Sequence, residues 1–262
     1  MGLLDGKVVL VSGAGPGLGR RVALACSREG ATVAVGARTE PKVEALAAEV
    51  EQTGGKALAL RLDVCDPDSC RSVVDRVVAD LGRLDVLVNN AFHAGDMAEF
   101  VSADLSAWRR TMDVNLFGTL QLTQAAVDAL REQGDGRVVM VNSMSAVRMQ
   151  PRFGAYAASK AALGAVTKTL AIELGPLGIR VNGVHPGYIW GDEVAFYFDH
   201  LAKQKGITAE EQYRSVADET ALGYLPTAAE IAEAVVFFAS DMSKPITGQA
   251  LGVNAGHWFH GF

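Results

Sequence analysis

Short runs of aliphatic and β-branched residues alternate along the chain with longer stretches whose apolar positions recur every three or four residues. The short runs predict strands at residues 7–11, 32–36, 57–62, 86–88, 137–141, 179–184 and 250–253. They are too apolar for strands with one wet face, as expected of a sheet covered on both sides. The longer stretches predict helices at 17–29, 41–52, 67–80, a long one within 105–132, then 155–174 and 228–239. Asp66 before Pro67 supplies an N-cap followed by proline at the first helical position. Strand–helix alternation of this kind reads as an α/β fold, a doubly wound, Rossmann-type parallel sheet of about seven strands.

One interval breaks the rhythm. Between His185 and Pro226 lie two helix-like pieces, near 192–205 and 208–220, and no strand. An insertion at the carboxyl end of a parallel strand sits where ligands bind in open α/β sheets. Residues 188–225 therefore read as a substrate lid. No repeat or linker divides the rest, so 1–262 reads as one domain.

Composition narrows the partners. A hydrophobic content of 49% is ample for a core on both sheet faces, and a net charge of −6 disfavours nucleic-acid or anionic-membrane surfaces. Cys26, Cys65 and Cys70 form neither a CxxC pair nor a metal spacing, and read as free thiols of a reducing compartment. Only residues 1–6 precede the first strand, and no apolar run approaches the roughly 18 residues of a membrane span. A cytoplasmic protein is expected.

Two patterns carry chemistry. Val8-Val9-Leu10-Val11 runs into Ser12-Gly13-Ala14-Gly15-Pro16-Gly17-Leu18-Gly19, and a helix follows. Glycines there allow a tight turn and close approach of backbone N–H groups to a pyrophosphate, at a helix N-terminus that favours anions. The spacing is GxxxGxG, through Gly13, Gly17 and Gly19; Leu18 stands where GxGxxG would need its third glycine. The second strand ends in Ala37-Arg38. A carboxylate there would bind the ribose diol of NAD(H); Ala37 offers none and Arg38 offers a fork for a 2′-phosphate. NADP(H) is therefore preferred, with NAD(H) still open.

The second pattern is Tyr156 and Lys160, four positions apart on a helix and so on one face. A fixed ammonium beside a phenol stabilises the phenolate and predicts an acidified tyrosine. The Ser143 hydroxyl can hydrogen-bond a reacting oxygen. Together these are the parts for moving a proton on and off a carbonyl oxygen while a hydride moves on the carbon.

With both patterns placed, residues 7–256 resemble the short-chain dehydrogenase/reductase family in the subgroup of this chain length. Beside the glycine turn, Leu62-Asp63-Val64 is similar to the segment that touches the adenine. Asn89-Asn90-Ala91 is similar to the family's Asn-Asn-Ala-Gly, and Met112-Asp113-Val114-Asn115 to the stretch bearing its helix asparagine. Ser143 precedes Tyr156 by 13 residues, Tyr156-Ala157-Ala158-Ser159-Lys160 is the YxxxK pattern, and Pro186-Gly187 is the turn beneath the nicotinamide. The resemblance implies a catalytic set of Asn115, Ser143, Tyr156 and Lys160. Tyr156 would be the general acid in reduction and the base in oxidation. Lys160 would lower its pKa and bind the nicotinamide ribose, Ser143 would orient the substrate oxygen, and the Asn115 carbonyl would hold a relay water. Cofactor contacts would come from Gly13, Gly15, Gly17, Leu18, Gly19, Arg38, Asp63, Val64, Asn90, Tyr156, Lys160, Pro186, Gly187 and Ile189.

Three positions depart from the family pattern. Phe92 replaces a glycine, and either narrows the site or packs under its loop. Gly191 stands where a threonine often binds the carboxamide, which leaves that contact to backbone such as the Ile189 N–H. Tyr224 replaces an arginine at the lid's far hinge.

The lid holds Tyr188, Trp190, Phe196, Tyr197, Phe198 and Tyr213, as pocket lining or as helix packing. It carries seven acidic residues against three basic ones, which disfavours an acidic carrier protein or coenzyme A thioester. His93 is within reach of a substrate or is an ordinary loop histidine, and His185 packs at its strand end. His257 and His260 are spaced like a metal pair but have no carboxylate or cysteine beside them in sequence, so no metal is expected. The apolar tail, 257–262, is expected to pack on the lid or on a neighbour in a homodimer or homotetramer. The reading is thus an oxidoreductase of an uncharged, fairly apolar ketone or alcohol. A 3-oxoacyl thioester reductase and a catalytically idle dinucleotide sensor are its rivals.

Overall fold

The computed structural model describes residues 2–259. Seven parallel strands form one sheet: β1 (Val8–Ser12), β2 (Thr32–Ala37), β3 (Lys56–Arg61), β4 (Val86–Asn89), β5 (Gly136–Val141), β6 (Ile179–Pro186) and β7 (Ala250–Val253). Their order is β3-β2-β1-β4-β5-β6-β7. The order reverses between β1 and β4, where Ser12 pairs with Asn89. A crevice opens at such a switch point, because the connections leaving the two strands go to opposite faces.

Helices α1 (Leu18–Arg28), α2 (Glu40–Gln52), α3 (Pro67–Leu81), α4 (Leu105–Met112), α5 (Thr119–Arg131), α6 (Gly154–Leu174), α7 (Asp192–Lys205), α8 (Ala209–Ala217) and α9 (Ala228–Ala239) fill the intervals. Successive strand residues point to opposite faces. Val9 and Val11 of β1 therefore pack with Val22 of α1, Leu46 of α2 and Val235 of α9. Val8 and Leu10 pack with Val77 of α3, Leu122 of α5 and Leu163 of α6. Both faces are dry over the inner strands, which is why these read as unbroken apolar runs, while the edge strand β7 is largely exposed. Asp66 caps α3 as expected, accepting from Asp68 N at 2.9 Å.

The long helix predicted within 105–132 is interrupted. A π-helical turn, Asp113–Gly118, joins α4 to α5. One extra residue is wound into the helix there, and wide turns of this kind concentrate at functional sites. Gly118 suits the crowded spot, since a Cβ on it would lie 2.7 Å from a Val64 methyl.

The insertion between β6 and α9 is α7 and α8 with a small core of their own. Phe198, Ala217 and Leu225 are buried in it, against Tyr188, Trp190, Tyr197 and Tyr213. Capping boxes start α8 (Thr208 with Glu211) and α9 (Thr227 with Glu230). Trp190 N donates to Pro226 O at 2.8 Å, so the two ends of the insertion meet at its base. Cys26 and Cys70 are buried, their thiols pushed up to about 12 and about 11 by desolvation, while Cys65 is exposed.

Candidate active site

The turn after β1 is built for close approach. Gly13 has φ +68°, and a Cβ on it would stand 2.5 Å from the Ala91 backbone. On Gly19 a Cβ would stand 2.3 Å from Gly13 O. Gly15 and Gly17 differ: nothing lies within 4 Å of a Cβ built on either, so they face open space. Ser12 Oγ accepts from Asn90 N at 3.2 Å, and Asn90 Nδ2 donates to Gly13 O at 2.8 Å, which locks the turn onto the end of β4. α1 starts from Gly17 with no side-chain cap and no acidic residue in its first turn. Its free N–H groups and partial positive charge suit a phosphate.

This turn forms one end of a cleft of about 1150 Å³, lined also by Leu18, Ser143, Tyr156, Gly187 and Ile189. A smaller cavity of about 220 Å³ shares Gly13, Gly15, Pro16, Asn90 and Phe92 with it, and continues to Arg38, Asp63 and Val64. The two make one trough across the β1/β4 switch point. An open glycine cradle midway and cations at the far end fit a dinucleotide. Asn115, Lys160 and Pro186 lie buried behind the wall. Three residues passed over in the sequence also belong here. Lys42 lines the smaller cavity four positions after Arg38, and Arg21 lines the cleft. Ser159, a mere spacer of the YxxxK pattern, joins Asn115 to α6.

Ser143 follows β5 and heads a short 3-10 turn, accepting from Ser145 N at 3.1 Å. Tyr156 and Lys160 lie one turn apart on α6, with Lys160 Nζ 5.7 Å from the phenol ring centroid. Lys160 is 2% exposed and donates to Val141 O at 2.8 Å. Desolvation pulls its ammonium down from 10.5 to about 8. The four-residue spacing predicts an acidified phenol; in the protein the balance runs the other way. Burial raises Tyr156 above its ordinary value, and a hydrogen bond with Ser143 offsets only part of that rise. By surface area Tyr156 is only half-buried, because it lines the cleft. The protein packed around the ring is still enough to disfavour a phenolate.

Asn115 occupies the π-helical turn, fully buried. Its amide donates to His93 O at 3.0 Å and to Ser159 Oγ at 2.9 Å, and accepts from His93 N at 2.7 Å. His93 is therefore a structural anchor: its Nδ1 also accepts from Gly95 N at 2.9 Å. Phe92 is exposed on the partition between the two cavities and is not packed under its loop. Gly191 lines the cleft in extended conformation, and Tyr224 donates to the α9 cap Glu230 at 3.0 Å. Of the insertion's aromatics only Tyr188 and Trp190 reach the cleft, and Phe196 is exposed. His185 is buried within β6. His257 meets Glu219 Oε2 at 3.1 Å and Arg148; His260, Gly261 and Phe262 lie outside the described residues.

Known proteins match this chain over nearly its whole length. The family described as enoyl-(acyl carrier protein) reductase matches residues 13–257. The 3-oxoacyl-[acyl-carrier-protein] reductase of Thermotoga maritima is 37% identical over 258 residues, covering 97% of this chain and 98% of its own. The cyclopentanol dehydrogenase of Comamonas testosteroni is 34% identical over 259 residues, covering 98% and 99%. A solved NAD+-bound xylitol dehydrogenase superposes with a TM-score of 0.90 at 29% identity, covering 97% of this chain and 99% of its own.

Proposed function

We propose, for a chain that belongs to the short-chain dehydrogenase/reductase family, a hydride transfer between NADP(H) and the carbonyl or secondary alcohol of an uncharged, fairly apolar small molecule. As a member the chain is an NAD(P)-dependent oxidoreductase of alcohols or carbonyls, not an idle sensor. The observation that carries the finer reading is the convergence of Ser143 and Tyr156 on a largely apolar cleft, with the Lys160 ammonium buried behind them.

In reduction the Tyr156 hydroxyl gives its proton to the substrate oxygen, and the Ser143 hydroxyl donates a hydrogen bond to that oxygen. The nicotinamide supplies the hydride when bound. Burial leaves Tyr156 a weak acid on its own, so the phenolate formed needs a nearby positive charge, and Lys160 is the one built in. Lys160 also contacts the nicotinamide ribose. The Asn115 carbonyl already accepts from Thr119 Oγ1 at 3.0 Å and uses its second lone pair for the relay water. Gly13, Gly15, Gly17, Leu18 and Gly19 take the pyrophosphate, Asp63 and Val64 the adenine, and Asn90, Pro186, Gly187 and Ile189 the nicotinamide end. Arg38 and Lys42 take the 2′-phosphate, and their place in the smaller cavity supports NADP(H) over NAD(H).

Residues 1–262 act as one cytoplasmic domain, with 188–225 as its substrate lid. No helix among the described residues is long and apolar enough to cross a membrane. Leu105 and Phe117, apolar and exposed, support assembly as a homodimer or homotetramer, which light scattering tests. A second reading, reduction of a 3-oxoacyl thioester, has the name of the Thermotoga relative in its favour. Against it, Asp192 and Glu193 line the cleft and would repel an acidic carrier.

The test is NADPH oxidation over cyclic and aromatic ketones and acetoacetyl thioester, with Tyr156→Phe alongside. Ketones should be the better substrates, and the variant should keep less than about a tenth of kcat. A variant retaining more refutes the role of Tyr156. Preference for the thioester selects the second reading.

A further inference from the structure

The cleft beyond Ser143 and Tyr156 is walled mostly by apolar side chains: Phe92, Met144, Phe153, Trp190 and Val194. Uncharged polar side chains interrupt that lining, Gln150 and Tyr188 the longest among them. Gln150 comes from the loop after β5, and Tyr188 from the segment after β6. Burial raises the Tyr188 phenol, and the Gln150 side chain beside it offsets part of that rise.

Tyr188 is held from behind. Its ring stacks on the imidazole of His257, with centroids 6.2 Å apart and planes at 29°. His257 has only 2% of its side chain exposed, and its Nε2 lies 3.1 Å from Glu219 Oε2. Arg148 donates to the same carboxylate oxygen at 2.6 Å and also meets His257 Nε2. Three chain segments are clasped here: the loop that begins at Ser143, the end of the lid after α8, and the strand exit after β7. A tyrosine on the rim of an apolar cleft needs no such backing to pack. Fixing its ring fixes the direction of its hydroxyl.

We propose that Tyr188 and Gln150 form a second polar contact in the cleft, selecting substrates with a hydrogen-bonding oxygen besides the reacting one, and that Arg148, Glu219 and His257 are positioning residues for Tyr188. This rests on the ketone–alcohol reading above. A substrate hydroxyl there can donate to the amide oxygen and accept from the phenol. An apolar pocket discriminates weakly for or against a hydroxyl, whereas a pocket built to bond it discriminates more strongly.

The experiment compares kcat/KM for NADPH-dependent reduction of cyclohexanone with the 2-, 3- and 4-hydroxycyclohexanones. One hydroxyketone should exceed cyclohexanone by about tenfold, the yield of one added hydrogen bond. Tyr188→Phe and Gln150→Leu should each reduce that ratio to within about twofold. Glu219→Gln should raise KM for the favoured hydroxyketone about fivefold while kcat stays within about twofold, the split expected when a binding contact is misplaced. Equal kcat/KM for all four ketones in the wild type overturns this inference alone, as does a ratio that survives both Tyr188→Phe and Gln150→Leu. A wild type that reduces none of the four overturns the ketone–alcohol reading, and this inference with it.

Discussion

Asn115 and Ser159 are joined by a 2.9 Å hydrogen bond from amide nitrogen to hydroxyl oxygen, and Ser159 in turn donates to the carbonyl of Tyr156 at 2.7 Å. The same amide holds both backbone groups of His93. One buried side chain thus ties the loop after β4 and the π-helical turn to the helix that carries Tyr156 and Lys160.

Asn115→Leu would leave the His93 N–H and C=O without these partners inside the protein. A stranded buried group costs about 1–3 kcal/mol and these two are half-buried, so a loss of ~2 kcal/mol is expected by denaturant titration. Ser159→Ala removes one neutral link and should cost about 1 kcal/mol. Both should lower kcat more than they raise the cofactor KM, because they act on the α6 side of the cleft. Unchanged kcat in both variants would show that the tie serves stability alone.

The glycines of the turn after β1 should separate into two classes. Gly13→Ala forces a positive φ on alanine and puts its methyl against the Ala91 backbone; Gly19→Ala puts one against Gly13 O. Both should lower Tm in the absence of cofactor. Gly15→Ala and Gly17→Ala meet nothing within 4 Å and should melt like the wild type. Their methyls would instead stand where the pyrophosphate approaches, raising the cofactor KM about tenfold or more, the cost of a lost charge-assisted hydrogen bond. Thermal melts and cofactor titrations of the four variants check the division.

That division shows what was legible in the sequence. The inner strands were readable because the sheet is covered there on both faces, which makes each an apolar run with clear ends; β7 was readable from its apolar residues although it is largely exposed. The glycine spacing announced a tight turn after β1, and the interval after His185 announced an insertion. The break in the helix at Asp113–Gly118 was not readable, since an i to i+5 turn leaves the apolar periodicity almost untouched. Ser159 looked like a spacer because its role depends on Asn115, 44 residues away. The acidified phenol failed for a different reason. Sequence spacing reports that a lysine is near a tyrosine, but not that both are desolvated together.

Arg38, just past β2, and Lys42, in the first turn of α2, line the same cavity. A phosphate held by two cations loses one charge-assisted contact when either is removed. Arg38→Asp should raise the KM for NADPH about tenfold or more and shift preference toward NADH. Lys42→Ala should give a smaller change of the same sign. Steady-state kinetics with both cofactors decide the matter, and a wild type that prefers NADH tenfold would remove the premise.

Lys160 should destabilise the protein it serves. Burial lowers its ammonium from 10.5 to about 8, so between these pH values the unfolded chain binds more protons than the folded one. Stability therefore rises with pH across this window, and the cost is fully present below about pH 8. At about 1.4 kcal/mol per unit the cost reaches ~3 kcal/mol at neutral pH, less whatever the bond to Val141 returns. Lys160→Met fills similar volume without charge. It should abolish ketone reduction, raise stability by about 2 kcal/mol at pH 7, and lose that advantage as the pH rises from 8 to 10.5. Tyr156, whose phenol is raised, acts in the opposite sense only above its ordinary range near pH 10, so the lower part of the window reports on Lys160. Urea titrations at pH 7, 8.5 and 9.5 measure the difference. A variant less stable than the wild type at all three would show that the ammonium is stabilised in place, and that its charge costs the fold nothing.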